Sequence, residues 1–221
     1  MLAQDHFVIQ SEFVNAKWAE DNLKTIRCLM EQASVYRRAM APLAIIVGIF
    51  GITAAGLAEA VDWFGPDYFA GYWIGVAIFS VSAALLLIRI QALKSSEAFW
   101  SPPTRRVVNA MIPLLLAGLG LGILEMMNKP NVRTSVILAA HWMILYGGAL
   151  HAAGFFMQRG IKLLGWIYII LGVFSLIFIE LNIIPYLKEN NAHWLMAFAF
   201  GIINLAYGFY LKLTEESLET K

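Results

Sequence analysis

The chain is expected to be an all-α membrane protein, a bundle of six transmembrane helices preceded by a cytoplasmic amphipathic helix. Three observations point there. Hydrophobic residues make up 60% of the 221 positions and charged residues only 14%, whereas soluble domains carry about a quarter charged. Mean hydropathy is +0.68. Charge is concentrated in residues 1–39, in short connections and in the last ten residues. The runs between are therefore long enough to cross lipid as helices, which takes ~20 residues each.

In chain order, residues 1–39 form a cytoplasmic segment. Ser11 caps a helix over 11–39 in which Ala16, Ala19, Leu23, Ile26, Met30 and Ala33 recur at three and four residues. This heptad-like seam would serve a homo-oligomer or a cytoplasmic protein partner. Alternatively the helix rests on the inner leaflet through Trp18 and Leu29, with Lys24 and Arg27 toward headgroups. The opening "MLAQDHFVIQSEF" has no basic start ahead of an apolar core, which predicts no cleavable signal peptide.

The transmembrane domain, 40–212, holds spans at about 41–62, 71–92, 107–127, 134–157, 162–184 and 193–212, followed by a cytoplasmic tail at 213–221. Short connections pair neighbouring helices antiparallel. Pro42 and Pro113 fall near the starts of the first and third spans, where proline is tolerated. "GLGLG" at 118–122 lies inside an apolar span with no strand before it, so it reads as a helix contact rather than a phosphate loop. In the fourth span Ala140, Gly147 and Gly154 recur every seven residues, a smooth stripe that predicts a central helix. Asn204, within the sixth span, is expected to hydrogen-bond a neighbour.

Orientation follows from the basic residues. With the N-terminus in the cytoplasm, 13 of the 16 Lys and Arg fall inside and only Lys129, Arg133 and Lys188 outside. Both termini are therefore expected to be cytoplasmic. Trp63, Phe64, Tyr68, Tyr72 and Trp73 make an outer aromatic belt, and Phe99, Trp100 and Trp166 an inner one.

Several chemistries are excluded. One cysteine, Cys28, forms neither an intramolecular disulfide nor a thiolate cluster. A net charge of +1 gives no field for nucleic acid. HExxH and GxSxG are absent. His6, His141, His151 and His193 offer no facing pair for haem, and no nucleotide site is expected.

The stretches "LMEQASVYRR", "FWSPPTRRVVNAMIP" and "LYGGALHAAGFFMQRG" resemble parts of a bacterial six-helix integral membrane protein family with no assigned activity. The resemblance spans most of the chain. It implies a multi-pass protein of the bacterial cytoplasmic (inner) membrane and supplies no reaction.

The candidate site rests on three glutamates in "GLAEAVDW", "GILEMMNKP" and "IFIELNIIP". Glu59, Glu125 and Glu180 lie near the outer ends of the first, third and fifth spans and share one depth. The negative end of the helix dipole and partial desolvation both favour a carboxyl group that holds a proton or a cation. His141 lies about 10 Å into the antiparallel fourth span, near a helix N-terminus that favours neutral imidazole. Together they suit a divalent metal or a proton relay. The opposing reading separates them, with Glu125 paired to Lys129 at i+4 and the others solvated. Three functions stand: handling of a small solute, proton or divalent cation; a non-catalytic membrane subunit, sensor or scaffold; and a metal-dependent membrane enzyme. No catalytic residue is assigned.

Overall fold

A computed structural model describes residues 22–23, 41–61, 65–94, 102–128, 130–157, 159–183 and 191–219. Nearly all of these belong to one compact unit, Ala39–Lys221. The helix expected over 11–39 lies, apart from 22–23, outside the described residues. Among the described residues there is no strand, and six helices are long and apolar enough to cross a membrane. They are α1 (Ala41–Ala60), α2 (Pro66–Lys94), α3 (Pro102–Met127), α4 (Val132–Ala153) and α5 (Arg159–Glu180). The sixth, α6, begins as Asn191–Met196, widens into a π-helix over Ala197–Ile203 and continues as Asn204–Glu219.

Helix ends follow local chemistry and shift several expected boundaries. α2 starts earlier than 71 because Pro66 takes the first helical position and Asp67 the first turn, both favourable at an N-terminus. α3 likewise starts at Pro102, which places Pro113 inside the helix rather than near its start. α4 opens on a capping box: Thr134 N donates to Asn131 Oδ1 at 3.0 Å and Asn131 N to Thr134 Oγ1 at 2.8 Å. α5 stops short of 184 because Asn182 turns left-handed (φ 49). Its N–H donates to Ile179 O at 3.2 Å and that of Ile183 to Phe178 O at 3.1 Å, a Schellman close.

α4 is the central helix, as its stripe of small residues predicts. It packs against α2, α3, α5 and α6, and 44% of its span is buried, against 6% for α2. At the α4–α5 seam the two backbones touch. A methyl group on Gly147 would sit 2.6 Å from Gly165 O, and one on Gly165 2.7 Å from Gly147 O. Further along, a methyl on Gly172 would lie 2.8 Å from Ala140 O. α1 and α6 meet the same way, with Gly51 against the backbone of Phe200 and Gly201.

Gly165→Ala is therefore expected to lower stability by about 1–3 kcal/mol, the usual size of an overpacking penalty. Gly120→Ala, where an added methyl meets nothing within 4 Å, should leave stability unchanged or slightly raised. Reversible unfolding in mixed micelles, followed by circular dichroism, compares them; equal effects would contradict a backbone seam at Gly165.

Candidate functional site

The four residues expected to converge take separate environments. Glu180 closes α5 and pairs with Arg133 in the first turn of α4, where Arg133 Nη2 donates to Glu180 Oε2 at 3.0 Å. Their side chains are 81% and 46% exposed respectively, so the pair contributes about 0–1 kcal/mol. Glu59 is exposed near the end of α1. His141 is half-buried, and its Nδ1 lies 2.8 Å from Ile137 O. A carbonyl only accepts, so Nδ1 carries the proton and a neutral ring keeps Nε2 as an acceptor.

Glu125 differs from the rest. It is half-buried on α3, and its Oε1 is buried without a hydrogen-bond partner. The expected pairing with Lys129 lies outside the described residues. Among the described residues, no group of three or more His, Cys, Asp or Glu side chains could hold a metal ion. The four are thus not gathered into one ligand shell.

Helix phase shows what Glu125 faces. Gly118, Gly122 and Glu125 recur at four and three residues and share one face of α3. That face receives the indole of Trp142 on α4. Trp142 Nε1 donates to Gly118 O at 2.8 Å, and a methyl on Gly122 would lie 2.9 Å from Trp142 Cζ2. Gly118 and Gly122 of "GLGLG" thus do serve packing, but they seat an indole instead of a neighbouring backbone, while Gly120 meets nothing. Seven residues beyond Gly118 is Glu125, and seven before Trp142 is Ser135. Because the helices run antiparallel, these steps bring Glu125 and Ser135 to one depth, with Ser135 on the Trp142 side of α4. Ser135 is 2% exposed, and its Oγ, too, has no hydrogen-bond partner. Two orphaned oxygens therefore mark the α3–α4 seam.

A second polar feature escaped the sequence reading. Trp73 Nε1 donates to His193 Nδ1 at 3.1 Å, joining α2 to α6 in a buried contact. Phe69 meets His193 edge-on at 5.1 Å and stacks on Trp142 at 6.1 Å. Tyr72 Oη donates to Ala54 O on α1. Tyr72 and Trp73 were expected in an outer belt, but Trp73 is buried, while Tyr68 is exposed as a belt residue should be. The one available signal was that α2 and α6 both start at the same end of the bundle.

Two further polar groups serve the fold. Tyr168 Oη donates to Ala199 O at 2.7 Å and Asn204 Nδ2 to Phe200 O at 2.9 Å, so both take up carbonyls of the π-helical stretch. Asn204, expected to hydrogen-bond a neighbour, gives its amide instead to the carbonyl four residues back in its own helix. His151 lies apart from His141, its ring 5.4 Å from those of Phe155 and Trp166.

Six apolar helices, a glycine-packed α4 among them, define a multi-pass membrane protein whose outer surface contacts lipid. Comparison of the chain with protein-family models, curated proteins and solved structures finds no match.

Trp73→Phe removes the buried hydrogen bond to His193 Nδ1 and is expected to cost about 1–3 kcal/mol. Glu180→Gln, which removes an exposed ion pair, should cost at most ~1 kcal/mol. Detergent unfolding monitored by circular dichroism ranks the two; the reverse order would show that the buried contact does not tie α2 to α6.

Proposed function

We propose that this membrane protein handles a proton or a small cation at the α3–α4 seam. Glu125 is the acceptor, and His141 is a neutral ligand or relay. The observation that supports this reading is the buried Glu125 Oε1 with no partner. An ionisable group within a membrane span is costly and marks an ion or proton path by default. A bound proton or cation would offset that cost at Glu125. His141 adds a ring nitrogen that is not engaged by its own helix. Glu59 and Glu180, one exposed and one paired with Arg133, serve at the rim of this reading rather than at its centre.

In this reading both termini face the cytoplasm and Glu125 lies toward the outside, which the 13-to-three split of basic residues supports. A bacterial inner-membrane location is supported by the family resemblance alone. A second reading, a non-catalytic subunit or scaffold, is favoured by α2, of which 6% is buried within the bundle. Its expected docking helix over 11–39 is tested by deleting residues 1–36 and asking whether partner association is lost.

The transport reading is tested in proteoliposomes containing a trapped pH dye, with potassium and valinomycin setting the potential. Wild type should dissipate a pH gradient or exchange an added cation faster than empty vesicles. Glu125→Gln should bring the rate to the empty-vesicle level, while Glu59→Gln should retain it. Equal rates for wild type and Glu125→Gln would refute the assignment.

A further inference from the structure

A groove of about 350 Å³ lies beside the last turn of α5, lined by Ile137 of α4 and by Leu176, Ile177, Ile179 and Glu180. Its lining is apolar except at one end. There Glu180, at the last position of the α5 span, meets Arg133, at the second position of the α4 span. Arg133 stands four residues before Ile137, and Glu180 four after Leu176 and three after Ile177. On helices those spacings keep the charged pair on the same faces as the apolar lining. The arrangement is an apolar trough within a span, closed at headgroup depth by one positive and one negative side chain.

We propose that this groove binds one acyl chain of a zwitterionic, amine-bearing phospholipid. Its phosphate lies on Arg133 and its ammonium on Glu180. Charge complementarity selects that occupant. The pair sums to zero, so it offers no net attraction to an anionic lipid, and Glu180 repels a phosphate that carries no amine beside it. A phosphoethanolamine headgroup bears both charges. The existing contact leaves room for both: one guanidinium nitrogen meets one carboxylate oxygen. A guanidinium has five N–H donors and a carboxylate two oxygens, so the remaining donors face the phosphate and Oε1 faces the ammonium. Glu180 is 81% exposed and reaches a headgroup without rearrangement of the bundle. The isolated contact is worth little in water, which makes it easy to exchange for lipid. This assignment does not depend on ion handling at Glu125.

Native mass spectrometry of the full chain tests it. Detergent-purified protein is mixed with phosphatidylethanolamine and phosphatidylglycerol of matched chains at equal concentration. Wild type should retain the ethanolamine lipid ~3-fold over the glycerol lipid, the size of preference an exposed ion pair supports. Glu180→Gln, an exposed change that leaves packing intact, should bring that ratio to about one or below, since the repulsion and the ammonium contact go together. Ile177→Trp fills the trough and should reduce both adducts while leaving the rim pair in place. The proposal is overturned if wild type retains neither lipid or shows no preference. It is equally overturned if Glu180→Gln keeps the wild-type ratio, or if Ile177→Trp binds lipid undiminished.

Discussion

Close backbone approach at glycine is the constraint on which this bundle depends. Lipid chains are as apolar as leucine, so helices gain nothing by hiding apolar surface from them, and association rests on packing. At the α4–α5 seam that packing is carried to its limit, since a single methyl group on Gly147 or Gly165 would overlap a carbonyl oxygen. The α1–α6 seam repeats the device through Gly48, Gly51 and Gly201. It coincides with the π-helical stretch of α6, Ala197–Ile203. A wider turn leaves carbonyls poorly matched within the helix, and in lipid each must find a donor. Tyr168 from α5 and Asn204 from α6 itself supply those donors to Ala199 and Phe200. The irregular turn is thus held between a glycine contact on one side and a tyrosine on the other.

The spans and the centrality of α4 were legible because both are local or periodic. A run of apolar residues needs no partner to be recognised, and a small residue every seven positions faces one way whatever it meets. Boundaries were less legible, as Asp67 and Pro102 look like connection residues until their positions at helix starts are known. What lay beyond reach were pairings between distant residues. Trp73 and His193 stand 120 positions apart, and an aromatic residue near a span end reads equally as interface belt or buried donor. Arg133 was sorted as one outside charge among three, yet it meets Glu180. Antiparallel adjacency of α4 and α5 makes that contact natural once the seam is fixed.

The three glutamates illustrate why an expected common depth does not by itself bring side chains together. Depth comes from position along a helix and phase from position around it, and the second decides which neighbour a side chain meets. Glu180 faces the α4 side of α5 at the headgroup level and finds Arg133. Glu59 turns outward on α1. Glu125 shares the face of Gly118 and Gly122, and so points to the seam that the Trp142 indole fills. The three glutamates therefore take three solvation states, and only Glu125 leaves a carboxylate oxygen buried and unpaired.

The position of α2 gives that seam a particular boundary. α2 is the least buried span, with Ile78, Phe79, Leu86 and Leu93 all more than half exposed. Its opening turns, in contrast, are fixed from several sides. Phe69 stacks on Trp142, Trp73 donates to His193, and Gly71 lies against Met126, the residue after Glu125. A methyl on Gly122 would also meet Ile74 at 2.9 Å. The end of α2 that flanks Glu125 is therefore its best-anchored part, while most of its length faces lipid. Access of water to the α3–α4 seam from that side is governed by an aromatic clasp of a few residues. The clasp includes a buried histidine whose Nδ1 accepts the indole N–H of Trp73. Buried aromatic contacts and a hydrogen bond thus hold this end of α2 to α4 and α6, so local opening of α2 costs more here than along its lipid-facing length.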